Sequence, residues 1–213
     1  RDVERLVESG QVIRIPGGAR LARSVAFEKT FAERHQKMGE AKNRIGRAAA
    51  ALVKDGEALV LDSGTTTLCI ARHLRSHRDL VVVTFSVAAL QELGGCDSIR
   101  VELTGGVYRR SSHDLVGNAV DEALRRVHAN KVFFGAASLS FAKGVMVYDP
   151  EEPRALIQSG AERILVLDSS KIGSEALYAF CDLKSCDLVI TDNGIKSEHL
   201  ARLRKRVPVL VAD

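Results

Sequence analysis

From residue 56 onward the chain alternates between short apolar runs and amphipathic segments. The runs are ALVL (58–61), LVVVT (80–84), IRVELT (99–104), KVFFGA (131–136), RILVLD (163–168), LVITD (188–192) and VPVLVA (207–212). Between them lie stretches with helical spacing at 68–74, 87–93 (VAALQEL), 117–127 (GNAVDEALRRV) and 197–206. Near-continuous Val, Leu, Ile and Phe runs, as opposed to strict apolar/polar alternation, imply strands covered on both faces. The pattern therefore predicts an α/β domain with a mostly parallel sheet flanked by helices. A further helix is predicted upstream in NRIGRAAAALVKDG, where Ile45, Ala48, Ala49, Leu52 and Val53 share a face and Asp55-Gly56 ends it.

The first forty residues read differently. RDVERLVESG places Val3, Leu6 and Val7 on one helical face with Gly10 as a stop. QVIRI then alternates like a short strand into Pro16-Gly17-Gly18, a hairpin signal. Two readings fit residues 1–20: the end of a winged helix-turn-helix, with Arg1, Arg14, Gly17 and Gly18 in its recognition helix and wing, or a helix and hairpin that cap the larger domain. Residues 21–40 are polar, of mixed charge, with scattered apolar positions at Val25, Phe27 and Phe31, which suits an extended linker followed by the approach to a helix. The main domain is then expected over 41–213.

In open α/β sheets ligands sit beyond the carboxyl ends of the strands. Those ends carry Asp62-Ser63-Gly64-Thr65-Thr66, Thr84-Phe85-Ser86, Thr104-Gly105-Gly106, Gly135-Ala136, Asp168-Ser169-Ser170-Lys171 and Thr191-Asp192. The first has a physical use: Gly64 lets the backbone approach an anion, and residues 65–67 open a helix whose N–H groups and dipole favour phosphate. Asp62 can accept from a sugar hydroxyl. Ser63 or Thr65 could instead simply cap the helix. Gly105-Gly106 and Lys171, at other strand ends, could converge on the same crevice; Arg109, Arg110 and Lys171 can equally be solvated loop cations.

Composition narrows the classes. With 213 residues, 46% hydrophobic and 27% charged, the chain can bury a substantial core. The net charge of +4 permits an anionic partner, but the basic residues are spread along the chain. No apolar stretch reaches membrane length and no secretory leader opens the sequence. Cys69, Cys96, Cys181 and Cys186 form no C-x-x-C pair, and Cys181 and Cys186 have no histidine at a useful spacing. Free thiols in a cytoplasmic protein without metal or cofactor are expected.

In order along the chain, LDSGTTT, VVTFSVAAL, LTGGVYRRSSHDLVG, KVFFGAASLS, LVLDSSKIG and LVITD resemble successive motifs of the effector-sensing domain of the DeoR family of bacterial transcriptional regulators, and RDVERLVESGQVIRIPGGA resembles the end of its recognition helix and its wing. The resemblance implies a fold related to phosphopentose isomerases and CoA transferases, and a phosphorylated sugar or related metabolite as effector. It implies effector contacts at Asp62, Gly64, Thr65, Thr66, Gly105, Gly106, Arg109 and Lys171; Ser63, Thr84 and Ser86 at the strand ends and Glu152 in YDPEEPRALI join them as candidates. Two positions depart from the family. Phe85 stands where Asn is common, and Pro153 follows the acidic Glu152, with Arg154 as the available base.

Arg1 falls within what resembles the recognition helix, so the chain is expected to be a fragment that senses but does not select operator DNA on its own. Operator DNA is the partner expected of the whole protein, and the sensor domain is the expected surface of a homo-oligomer, a dimer or tetramer. The alternative is a sugar-phosphate isomerase. The acidic Asp-Gly-x-Asp loop of those enzymes would fall at GAASLS, which has no carboxylate, leaving Glu152. A CoA-transferase nucleophile has no candidate. A regulator, not an enzyme, is expected.

Overall fold

The computed structural model describes residue 4, residues 12–15 and 18–21, and residues 30–213. Near the start, β1 (Val12–Ile15) pairs antiparallel with β2 (Gly18–Leu21), Arg14 facing Ala19 and Ile15 facing Gly18, which gives the expected hairpin. Glu4 is helical. Arg1 and Gly17 lie outside the described residues.

Residues 31–36, in the later part of the expected linker, form helix α1 (Phe31–Gln36), a separate helix ahead of the one expected upstream of β3. A capping box starts it: the Glu33 amide donates to Thr30 Oγ1 at 3.4 Å, and the Thr30 amide donates to the Glu33 carboxylate at 2.8 Å. Mixed charge hid this signal. Met38, with φ of 58°, separates α1 from α2 (Gly39–Ala50).

Seven parallel strands form the main sheet: β3 (Ala58–Leu61), β4 (Leu80–Thr84), β5 (Ile99–Leu103), β8 (Ala129–Phe134), β11 (Gly160–Val166), β13 (Leu188–Asp192) and β14 (Val209–Ala212). Their spatial order is β14-β13-β11-β8-β3-β4-β5. Helices α3 (Thr65–Leu74), α4 (Val87–Leu93), α5 (Asn118–Arg125) and α6 (Ser197–Arg204) flank it. Successive residues of one strand feed opposite layers. Leu59, Leu61, Phe133 and Val166 pack with Ile45, Ile70 and Leu74, while Val60, Val132, Phe134 and Leu165 pack with Leu124 and Leu203. That double burial is why the strands read as unbroken apolar runs. On the first layer α2 and α3 touch so closely that a Cβ on Gly46 would lie 2.6 Å from the Cys69 backbone carbon.

Two antiparallel pieces add to the sheet, and the periodicity did not predict either. Strands β6 (Val107–Arg109) and β7 (Asp114–Val116) form a hairpin, and β9 (Ser138–Ser140), β10 (Gly144–Val147) and β12 (Tyr178–Cys181) form a small sheet in the order β12-β10-β9. Strands β6, β7 and β9, of three residues each, are too short to show a period. Among the described residues no helix is long and apolar enough to cross a membrane.

Topology fixes where polar residues meet. From β3 the chain moves outward to β4 and β5, then returns to β8 on the other side of β3. The strand order therefore reverses between β3 and β8, where a crevice opens at the carboxyl ends.

Candidate functional site

A narrow cleft, open to solvent, lies at that switch point. After β3 it is lined by Asp62, Ser63, Gly64, Thr65 and Thr66; after β8 by residues 135–137; from the hairpin by Arg109, Ser112 and Asp114; after β10 by Tyr148, Asp149 and Glu152; after β11 by Lys171; and from α1 by Arg34.

The β3–α3 junction is built from local bonds. Gly64 is the N-cap of α3, in extended conformation, and accepts the first helical bond from Leu68 at 3.0 Å. The amides of residues 65–67 therefore have no carbonyl within the helix to bond. Thr67 is not a cleft residue; its hydroxyl donates to the Asp62 and Gly64 carbonyls at 2.7 and 2.8 Å and ties the turn down. Thr65 and Thr66 are nearly fully buried yet line the cleft.

Asp62 is turned to its own backbone surroundings. Its carboxylate accepts from the Ser63 amide at 2.6 Å and from the Gly135 amide at 2.7 Å, which joins the ends of β3 and β8. Burial pushes the Asp62 carboxyl above its ordinary range, against the pull of those two amides.

Opposite it the hairpin brings Arg109 and Asp114 into register. Arg109 Nε and Nη2 donate to the two Asp114 oxygens at 3.0 and 2.7 Å, and Nη1 pairs with Asp149. Ser63 and Ser112 hydroxyls donate to the same Asp114 carboxylate at 2.9 and 2.7 Å. Burial works against the Arg109 charge, but Asp114, Asp149 and Glu152 together hold its pKa above the ordinary value. Lys171 ends a 3-10 turn, Ser169–Lys171, and donates to the Ala136 carbonyl at 2.5 Å. Just behind the cleft, buried Lys42 donates to the Lys37 carbonyl at 2.7 Å and also to the Arg34 carbonyl. Burial first, then the nearby Lys171, pulls its pKa down to about 8.

Of the residues expected from sequence, Asp62, Ser63, Gly64, Thr65, Thr66, Arg109, Glu152 and Lys171 are brought together in the cleft. Four are not among its lining. Thr84 Oγ1 donates to the Leu61 carbonyl at 2.6 Å, and Ser86 caps α4 by accepting from the Ala89 amide at 3.1 Å. Gly105 and Gly106 take φ values of 81° and 122° in the exposed turn between β5 and β6. A Cβ on Gly106 would sit 2.7 Å from the Val116 carbonyl oxygen, so the turn itself requires glycine there. Phe85 is buried in the core, away from the cleft lining. Sequence reasoning missed Arg34, Ser112, Asp114, Tyr148 and Asp149. Spacing held one usable signal: V-Y-R and D-L-V flank four residues, a hairpin that pairs Arg109 with Asp114.

The sheet, its switch point and the cleft define the class: an α/β domain whose polar residues gather at the carboxyl ends of its strands. Residues 37–193 match the family model described as the DeoR C terminal sensor domain. The chain belongs to the DeoR family of transcriptional regulators. It is 33% identical to the HTH-type transcriptional repressor GlcR of Bacillus subtilis (strain 168), over 90% of this chain and 75% of that one. Against the lactose phosphotransferase system repressor of Staphylococcus epidermidis (strain RP62A) it is 29% identical, over 91% of this chain and 79% of the other. Among solved structures, eIF2B beta from Chaetomium thermophilum aligns with a TM-score of 0.54 at 14% identity, over 83% of this chain and 56% of that one, a likeness of fold alone. Ribose 5-phosphate isomerase A from Methanocaldococcus jannaschii aligns with a TM-score of 0.46 at 16% identity, over 64% of this chain and 55% of the isomerase.

Proposed function

We propose that the cleft binds a phosphorylated sugar or related metabolite and that binding modulates how the whole regulator, a homo-oligomer, holds its operator DNA. The observation that carries this reading is the start of α3: residues 64–66 border the same cleft as Lys171 and Arg34. Amides without helical acceptors, the positive end of the helix dipole and two cations together favour a phosphate. Relatives named as repressors, one of them of a lactose phosphotransferase system, support a regulatory role in sugar metabolism.

An isomerase is disfavoured by what three of the four cleft carboxylates among the described residues already do, which leaves Glu152 as the one candidate base. Asp62 accepts two backbone amides, and Asp114 and Asp149 hold Arg109. A base for carbon acids must instead reach the substrate proton. Incubation with ribose 5-phosphate is expected to give no ketose.

The hairpin offers a route from cleft to connector. One face of the β6–β7 segment supplies Arg109, Ser112 and Asp114 to the cleft, while Ser111 and His113 meet Phe31 of α1, the helix that also sends Arg34 to the cleft. A ligand that binds one arrangement of these pieces more tightly shifts the regulator by no more than that difference in affinity. The test is a thermal-shift comparison of sugar phosphates with the same sugars unphosphorylated, on the wild-type chain and on Thr65→Ala. Stabilisation by the phosphorylated compounds alone, weakened in the variant, is expected. No stabilisation by any phosphorylated compound, or an undiminished response in Thr65→Ala, overturns the reading.

A further inference from the structure

The main sheet ends at β5, which pairs with β4 on one side and, among the described residues, with no strand on the other. A strand left open in this way presents unpaired backbone groups that another strand can match. Its sequence is Ile99-Arg100-Val101-Glu102-Leu103, with the two charges on one face and the three apolar residues on the other. Arg100 and Glu102 form an exposed ion pair within the chain at 2.8 Å. Leu103 is 38% exposed, and Val107 and Tyr108, just beyond the Gly105-Gly106 turn, are 71% and 48% exposed. Among the described residues, three of the five large hydrophobic residues most open to solvent thus lie within the short stretch 103–108.

The charge order on β5 is complementary to itself. If a second copy adds its β5 antiparallel about a two-fold axis at Val101, Arg100 faces the other copy's Glu102, and Glu102 faces its Arg100. In the same register each exposed Leu103 meets the other copy's Ile99. Centring the pair one residue either way sets Arg100 against Arg100 or Glu102 against Glu102, which is unfavourable for charges directly opposite. The opposite edge, β14, reads Val-Leu-Val-Ala and carries no charge to set a register.

We infer that β5 is the homodimer edge of this domain: two copies join antiparallel about Val101, with Arg100 and Glu102 cross-paired and Leu103, Val107 and Tyr108 flanking the seam. A two-fold pair of this kind is the isologous contact that closes a dimer. The inference gives a surface to the oligomer proposed above and is independent of what the cleft binds.

Charge reversal tests the register. Arg100→Glu places Glu against Glu at two symmetric positions, and Glu102→Arg places Arg against Arg. The double variant Arg100→Glu/Glu102→Arg restores both cross-pairs with their signs exchanged. Sedimentation velocity on the full chain is expected to show a dimer, or a larger assembly of dimers, for the wild type. Each single variant should dissociate at a concentration about fourfold higher or more, because both symmetric cross-strand pairs change from opposite to like charge, and the double variant should return towards wild type. Circular dichroism and the melting temperature at low concentration check that each variant keeps its fold. A monomeric wild type overturns both the oligomer and this surface. An oligomer indifferent to single reversal, or one the double variant fails to restore, overturns the surface alone. Sugar-phosphate stabilisation of the monomeric variants reports separately on the cleft.

Discussion

Arg109 and Asp114 face each other across the β6–β7 hairpin and close a two-pronged ion pair at 3.0 and 2.7 Å, with the Asp114 side chain only 1% exposed. Bidentate geometry and the added hydroxyls of Ser63 and Ser112 satisfy a carboxylate that would otherwise be costly to bury. Removing one partner leaves the other's charge in place. Asp114→Ala is therefore expected to lower unfolding free energy by about 3–5 kcal/mol, the range for breaking a buried pair. Urea denaturation measures it; a loss below 1 kcal/mol would show that Asp149 alone satisfies Arg109.

Asp62 offers a sharper substitution, because its two oxygens accept from two different amides. Asn has the same shape but only one acceptor, so one amide, on Ser63 or on Gly135, meets an NH2 group instead. Asp62→Asn should cost about 1–3 kcal/mol and speed hydrogen exchange at one of those amides. Exchange unchanged at both would mean the strand ends are held by other bonds.

The sequence made the main sheet legible for a physical reason. Strands such as Leu59-Val60-Leu61 feed two cores at once, so their apolar runs are unbroken, and helices such as 87–93 show one apolar face. The β3–α3 junction was equally legible, because a strand, a glycine and a hydroxyl-rich helix start are contiguous in the chain. What was not legible depends on distance. Asp149 reaches Arg109 across forty residues, and Gly135 reaches Asp62 across seventy-three. Arg34 sits in a charged stretch whose helix is set by the reciprocal bonds of Thr30 and Glu33, a cap with no apolar period behind it. Thr84 and Ser86 carried the right residue types at the right place, but their hydroxyls serve the Leu61 carbonyl and the start of α4.

Lys42 makes a pH prediction. Pulled down first by burial and then by the nearby Lys171, its ammonium titrates at about 8 in the folded chain against 10.5 when free. Between those values the unfolded chain holds the extra proton, so stability gains from Lys42 as pH rises from about 8 to 10.5 and loses as it falls back through 8. Burial raises the Cys69 thiol and acts in the opposite sense at high pH, so the comparison should be with Lys42→Met. The wild-type minus variant difference in unfolding free energy should climb across that window, by up to about 1.4 kcal/mol per pH unit. A flat difference would place the ammonium in water.

The connector makes the last prediction, which rests on the proposed ligand. The Phe31 amide donates to the Ser111 carbonyl at 2.8 Å, its ring lies 5.2 Å from that of His113, and Arg34, one turn along α1, lines the cleft. Ser111 lies between Arg109 and Asp114 in sequence, so a ligand that shifts either side of that ion pair must move the loop that holds Phe31. Saturating sugar phosphate is expected to change hydrogen exchange at the Phe31 amide several-fold, within the 5–150-fold span typical of coupled sites. Phe31→Ala should remove that response from the neighbouring amides of α1, and because the Arg34 guanidinium lies over the Phe31 ring at 5.9 Å it should also weaken the ligand. If the ligand binds and exchange at residue 31 does not change, the hairpin is not the link, and α2, packed directly on α3, becomes the remaining route.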